Sequence, residues 1–326
     1  MKDVGIVGLP YSGKSTLFTA LTRSGAAGGR SNQAVVDVPD DRVATLAELE
    51  SSKKVVHAKV RFVDVPGGLT AQGIADYRNT DALCMVIGAF SGEGDPTSDL
   101  ESLRAEMIIA DLASIESAVE KARKKAKLKT EGKAELEVLE KAHALLDAER
   151  PLRDETWDED ELRILKGFGP LTHKPWIVVA NVGEGAELPS GLPEDTLAVS
   201  ASLESEVAGM DDAEATELLA GFGVEEPGLN RVIRACYTAL DLITFLTTGE
   251  DETRAWEVRR GAKAPEAAGQ IHSDLERGFI RAEVVSYGEL VDAGGWDAAK
   301  AKGRLRVEGK DYIVVEGDVV NIRFAV

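Results

Sequence analysis

Apolar positions along the chain fall into short runs separated by glycine-rich and charged stretches, and two periods take turns. Val4, Ile6 and Val7 form a strand-like run ending at Gly8, after which Leu17, Phe18, Ala20 and Leu21 recur at helical spacing. A Gly- and Ala-rich stretch from Ser24 to Gln33 predicts a loop. Ala34 to Val38 reads as a strand closed by Pro39, Asp41 to Leu49 as a short helix, and Val55 to Val63 as a further strand. Ala82 to Ile87 is apolar on both faces, as in a buried parallel strand. Leu100 to Leu112 predicts an amphipathic helix. Ile115 to Arg150 lacks proline and places Leu136, Leu139 and Leu146 near heptad spacing, which predicts an antiparallel helical hairpin broken at Gly132. Strands are expected at Trp176 to Ala180 and Thr196 to Val199, and an apolar helix from Leu229 to Thr244. Beyond Arg254, short Val- and Ile-rich segments and turns at Gly261, Gly269, Gly309 and Gly317 predict a small α+β domain with a strongly bent sheet.

The first strand and helix enclose the stretch that carries chemistry. Gly8-Leu9-Pro10-Tyr11-Ser12-Gly13-Lys14-Ser15 fits G-x-x-x-x-G-K-[ST]. Glycines let successive backbone N–H groups turn inward, and the helix N-terminus adds partial positive charge, so the loop can cradle phosphates. Gly8, Pro10, Tyr11, Ser12, Gly13, Lys14, Ser15 and Thr16 are the expected nucleotide-binding residues. Lys14 reaches the β- and γ-phosphates and stabilises developing charge, and the Ser15 hydroxyl ligates Mg²⁺. A chance lysine in a glycine-rich turn is the alternative, and the flanking strand and helix argue against it. Asp64-Val65-Pro66-Gly67 follows a strand. Asp64 suits a second Mg²⁺ position, and the Gly67 N–H suits sensing of the γ-phosphate.

Two later strand ends lie where a doubly wound sheet holds a base. Asn181 would orient the loop by its amide, and Ala201, after Ser200, would offer a backbone N–H to the ring. Guanine recognition asks for an aspartate three residues after the asparagine. Glu184 stands there, one methylene longer, which leans the site towards adenine. The domains read as 1–112 with 169–243 for nucleotide binding, 113–168 as an inserted helical domain, and 244–326 as the C-terminal domain.

Composition narrows the class. The chain has 326 residues, 44% hydrophobic and 29% charged, as in an ordinary globular protein with room for two domains. No run approaches a membrane span and the N-terminus enters a strand directly, so a cytoplasmic protein without membrane contact is expected. Cys84 and Cys236 sit among apolar residues and suit buried core positions rather than a disulfide framework. The net charge of −19 argues against nonspecific nucleic-acid binding. From Thr244 onwards, however, 12 Lys/Arg face 15 Asp/Glu, so a local RNA-facing patch is compatible with that segment. Arg259, Arg260, Lys263, Arg277 and Arg281 read either as phosphate contacts or as a solvated face. The cluster from Lys121 to Lys129 leaves the same two options open. His57, His143, His173 and His272 have no zinc-site spacing.

Together these residues resemble the Obg-like ATPase (YchF) family of translation-factor (TRAFAC) class P-loop NTPases. The strongest match is C-terminal, in RAWEVRRGAKAPEAAGQIHSDLERGFIRAEVVSYGELV and GKDYIVVEGDVVNIRFAV, and runs from Leu242 to Val326. That segment is similar to the family's TGS domain, a small β-grasp-like fold. Asn181-x-x-Glu184, Ser200-Ala201 and the helical insertion also resemble the family. The resemblance implies an ATP-hydrolysing cytosolic switch associated with ribosomes, with GTP a second candidate ligand and with the TGS and helical domains as contact surfaces. Several positions depart from the family pattern. Tyr11-Ser12 replaces Asn-Val, Gly28 to Asn32 replaces a Pro-Phe-x-Thr segment so that only Ser31 could complete the Mg²⁺ shell, and the stretch after Gly67 is short. Met85 stands where the family has a histidine proposed to assist the attacking water, and Gln72 lacks the spacing of a translational GTPase glutamine. Two functions therefore stay open: a weak ATPase switch, and a nucleotide-binding adaptor with little turnover.

Overall fold

The apolar runs are taken up by two six-stranded sheets. The computed structural model describes residues 1–22, 32–90, 92, 94–126, 132–208, 210, 212–224 and 226–325. Along the chain, β1 (Lys2–Val7) leads into α1 (Lys14–Thr22), followed by β2 (Asn32–Asp37), α2 (Asp41–Leu49), β3 (Val55–Val56) and β4 (Lys59–Asp64). Next come α3 (Ala71–Tyr77), β5 (Ala82–Ala89), the long α4 (Pro96–Ala126), α5 (Gly132–Asp147) and α6 (Glu159–Lys166). Then β6 (Trp176–Val182), β7 (Leu197–Val199), α7 (Ala201–Val207), α8 (Asp212–Gly221) and α9 (Gly228–Ala239) precede β8 (Leu242–Thr247) and β9 (Thr253–Arg259). The chain ends with α10 (Ala264–Ile271), α11 (Ser273–Arg277), β10 (Phe279–Ser286), α12 (Tyr287–Ala293), α13 (Trp296–Ala301), β11 (Arg306–Glu308) and β12 (Asp318–Phe324). Two compact units result, one of Lys2–Ala34 with Arg61–Val232, the other of Met1, Val35–Val60 and Ile233–Val326.

The first sheet has the order β2-β4-β1-β5-β6-β7, an α/β arrangement with β1, β5, β6 and β7 parallel. Burial on both faces explains the unbroken apolar run of β5, and Cys84, Met85 and Val86 have no exposed surface. Register sets the later site: Val7 lies opposite Met85, and Asn181 opposite Val199, so the loops after β1, β6 and β7 leave the same edge. Tyr77, Leu103 and Met107 close the core over this sheet. Fully burying a side chain of this kind contributes about 1.5–3 kcal/mol. The helical hairpin has its own core, in which Ile115, Val119, Leu139, Leu146, Trp157 and Leu165 meet. Asp111 is fully buried on α4 and accepts from the N–H groups of Leu171 and Thr172 at 2.9 and 2.7 Å and from the Thr172 hydroxyl at 2.7 Å. Burial pushes its carboxyl above the ordinary range.

In the other unit the sheet order is β11-β10-β12-β8-β9-β3. Antiparallel pairs β8–β9, β10–β12 and β10–β11 dominate, while β12–β8 and β3–β9 are parallel. Ala264, Ala267 and Ala268 of α10 pack with Phe245, Val258, Phe279 and Val284. Small residues on the helix let it lie close to the strands.

Three expectations are corrected. Val55 to Val63 is not one strand: β3 and β4 belong to different sheets, with His57 and Ala58 between them. The helix expected over Leu229 to Thr244 ends at Ala239, and Leu242 onwards is β8. Asp241 has φ 54°, a left-handed backbone that no helix continues through. The separate helices expected over Leu100 to Leu112 and from Ile115 are a single one of 31 residues. Of the loop expected from Ser24 to Gln33, the part up to Ser31 lies outside the described residues, and Asn32 and Gln33 already belong to β2.

Candidate functional site

The phosphate loop is shaped by steric necessity at two glycines. A Cβ on Gly8 would lie 2.4 Å from the Val86 carbonyl oxygen, and one on Gly13 would lie 2.1 Å from Asn181 Nδ2. Gly13 also has φ 91°. Only glycine lets the backbone fold this closely against β5 and β6. Between them Tyr11 is held at φ 65° with its side chain 95% exposed, and Pro10 is exposed beside it. Ser12 is buried, and its Oγ has no partner among the described residues. Lys14, Ser15 and Thr16 open α1, with Ser15 and Thr16 exposed and Lys14 half-buried.

Asn181 ties this loop to the base loops. Its Nδ2 donates to the Ser12 carbonyl at 3.1 Å, and its Oδ1 accepts from the Ala201 N–H at 3.0 Å, so the N–H expected to face the base ring is already engaged within the protein. Ser200 caps α7, accepting from the Leu203 N–H at 3.5 Å. One buried amide on β6 therefore joins the phosphate loop to the start of α7, an arrangement that removes two backbone groups from competition with water. Glu184 is exposed, and its Oε1 accepts from the Ser202 hydroxyl at 3.5 Å.

Asp64 is 1% exposed at the end of β4. Its Oδ2 accepts from the Ser15 hydroxyl at 3.2 Å and from the Asn32 amide at 3.5 Å, while Oδ1 is buried without a partner among the described residues. A buried carboxylate oxygen left unpaired is costly. Beside a serine hydroxyl it suits a hard, oxygen-seeking cation, so these residues fit Mg²⁺. Gly67 and Gly68 follow with φ 84° and 62°. A Cβ on Gly73 of α3 would lie 2.0 Å from the Gly68 carbonyl oxygen, so the helix starts directly against this turn. At the other end of α3, the buried Tyr77 hydroxyl donates to the Ile6 carbonyl at 2.8 Å. Burial first, and the negative charge of Asp64 second, raise the Tyr77 hydroxyl above the ordinary tyrosine range.

The remaining candidates separate. Met85 is fully buried in the sheet core and offers no proton acceptor, and Gln72 is exposed in the first turn of α3. Ser31, Lys127 and Lys129 lie outside the described residues. Arg123 and Lys125 pair with Glu140 and Glu135. In the C-terminal segment Arg259, Arg260, Lys263 and Arg277 pair with Glu266, Asp241, Asp311 and Asp274.

Sequence reasoning misses three residues here. Asn32 falls in a stretch that reads as loop, though it helps hold Asp64. Phe90 is 50% exposed at the end of β5, its ring 3.6 Å from where a Cβ on Gly88 would stand and its carbonyl 3.7 Å from the equivalent point on Gly183. Glu204 is 3% exposed, and Gly228 at the start of α9 donates its N–H to Oε1, while Oε2 has no partner among the described residues. It lines a cavity of about 230 Å³ with Gly183, Ser200, Phe222 and Arg231. Burial raises its carboxyl. A glutamate on a helix reads in sequence as solvent-facing, so no signal marks it.

A strand, a glycine-shaped anion loop, a helix and an aspartate at the adjoining strand end define a P-loop NTPase, with nucleotide as its ligand. Two family models match in series, "50S ribosome-binding GTPase" over residues 3–182 and the YchF GTPase C-terminal model, described as "Protein of unknown function (DUF933)", over residues 242–325. The chain belongs to the YchF family. It is 39% identical over 361 residues to the "Ribosome-binding ATPase YchF" of Bacillus subtilis, with 99% of each chain covered. It is 40% identical over 358 residues to the protein of that name from Haemophilus influenzae, again with 99% of each covered. The first alignment is longer than this chain, so the relative carries segments that are absent here. The solved structure of the Schizosaccharomyces pombe YchF GTPase superposes with a TM-score of 0.86 at 30% identity, covering 99% of this chain and 97% of that one. Among the described residues, no helix is long and apolar enough to cross a membrane.

Proposed function

We propose that this protein is a cytoplasmic, nucleotide-dependent switch that binds ATP in preference to GTP, hydrolyses it slowly, and associates with ribosomes. The observation that carries this reading is the Asn181 amide, which joins the phosphate loop at Ser12 to the base loop at Ala201. Lys14 stabilises charge on the transferring phosphoryl group, and the Gly67 N–H senses the γ-phosphate. Ser15 and the free Oδ1 of Asp64 hold Mg²⁺, which when bound neutralises phosphate charge. Ser200 and Ala201 line the base, Phe90 offers it an exposed aromatic face, and Glu184 in place of aspartate disfavours guanine. The ribosome as partner is supported by the relatives named ribosome-binding ATPases, and contact through a TGS domain at 244–326 and the helical insertion at 113–168 by the sequence resemblance.

Single-turnover hydrolysis of Mg²⁺-ATP tests the enzyme. Phosphate release above that of a Lys14→Ala variant is expected, and no excess over an hour would remove hydrolysis from the reading. A second reading, a nucleotide-binding adaptor with little turnover, is favoured by Met85, which is buried and cannot activate water. Calorimetry with ATP and GTP tests the base preference, and equal affinities would remove the argument from Glu184.

A further inference from the structure

Away from the phosphate loop, at the start of β6, two guanidinium groups lie over one indole. Arg153 lies 4.2 Å and Arg104 5.8 Å from the Trp176 ring centroid. Three other cations in the described residues lie over an aromatic ring, and each also has an acid: Lys141 over Trp157 pairs with Glu161, Arg254 over Trp256 with Glu252, and Arg306 over Tyr312 with Asp318. Among the described residues the side chains of Arg104 and Arg153 form neither an ion pair nor a hydrogen bond, and Arg104 Nε is buried without a partner. The other described arginines of this unit are engaged, Arg61, Arg123, Arg150 and Arg163 by carboxylates and Arg78 and Arg231 by carbonyl oxygens.

The surroundings are positive as well. His173 titrates below the ordinary histidine range, through burial first and then through Lys166, Lys174 and Arg153. Asp154 and Asp195 are close enough to influence Arg153, yet neither forms an ion pair with it. Two like charges held over one ring repel each other, and an anion that comes to them relieves that repulsion. A guanidinium held over a ring loses less conformational freedom when its free N–H groups meet phosphate oxygens.

We propose that Arg104, Arg153 and Trp176 form a docking surface for the phosphate backbone of RNA. The assignment rests on the ribosome-associated reading above, which makes RNA the polyanion at hand. The arginines occupy the indole, so the surface reads backbone rather than bases and its binding is independent of sequence.

The test uses the full chain with both arginines replaced by glutamine, alongside Arg153→Glu alone. Unchanged ATP binding by calorimetry shows that the variants fold. The parent is expected to bind both purified ribosomes and a mixed-sequence duplex RNA. In the double variant both affinities should fall about ten-fold, with the slope of log affinity against log salt shallower by ~0.9 for each duplex phosphate that is no longer neutralised. Affinity and slope equal to the parent's would overturn the surface. Weaker ribosome binding with an unchanged slope would also overturn it, in favour of an acidic protein. A parent that binds the duplex through these arginines but not ribosomes would overturn the ribosomal reading and leave the surface standing. A parent that binds neither overturns both.

Discussion

The two ends of the nucleotide site are built differently. At the base end the polar groups are already joined: Asn181 bonds to Ser12 and Ala201, and Ser200 caps α7. At the γ-phosphate end Ser12 Oγ and Asp64 Oδ1 are buried without partners among the described residues, and the Gly67–Gly68 turn is held in left-handed backbone. On the proposed assignment, the loop that would hold the base is preorganised, whereas the phosphate end is completed by what binds there.

Substitutions can break this contrast. Lys14→Ala should have the largest effect, because charge-assisted contacts to phosphate are worth ~1.5–3 kcal/mol each. Calorimetry should show ATP affinity down by about a hundred-fold, and an unchanged affinity would place the phosphates elsewhere. Asn181→Ala comes next. It strands the Ser12 carbonyl and the Ala201 N–H, so a loss of ~2 kcal/mol in folding stability is expected together with weaker ATP binding. Stability lost without any change in ATP binding would make the amide purely structural.

Asp64→Asn should divide the two ends. Removing an unpaired buried charge should raise the melting temperature of the ligand-free protein, while Mg²⁺-dependent ATP binding weakens by about ten-fold, ~1.4 kcal/mol. A lower melting temperature would mean that the unpartnered oxygen costs nothing.

The smallest effect concerns pH. Burial raises the Glu204 carboxyl, so the folded state holds its proton more tightly than the unfolded one. Its contribution is most favourable below the ordinary glutamate range and is lost as pH rises through that range towards the raised value. Glu204→Gln, whose amide oxygen can still accept from Gly228, should flatten this part of the stability profile between acidic and neutral pH. A profile identical to the parent's would show that the Glu204 carboxyl titrates alike in the folded and unfolded states.

Much of the phosphate end is legible in the sequence because its chemistry is local: Gly8, Gly13, Lys14 and Ser15 keep a fixed spacing, and Asp64 and Gly67 lie one strand away. The clasp by Asn181 is only half legible. Its contact with the base loop follows from strand order, but its bond to Ser12 spans 169 positions and depends on a tertiary approach that Gly13 permits. The misread elements have physical causes. Ala239 to Leu246 is apolar enough to continue a helix or begin a strand, and only the left-handed Asp241 decides it. Val55 to Val63 alternates smoothly, yet alternation does not reveal which sheet a residue joins. The arginines and Trp176 come from three distant segments, and nothing in the order of charges along the chain separates these arginines from the paired ones.

The seating of α3 has a mechanical meaning. Its first turn touches the Gly68 carbonyl with no room for a methyl group, and its last turn is bonded to Ile6, two residues before Gly8. Contact at one end and a hydrogen bond at the other leave the helix little freedom to slide. Were the Gly67–Gly68 turn to shift, the start of α3 would have to move with it, because no gap separates the two.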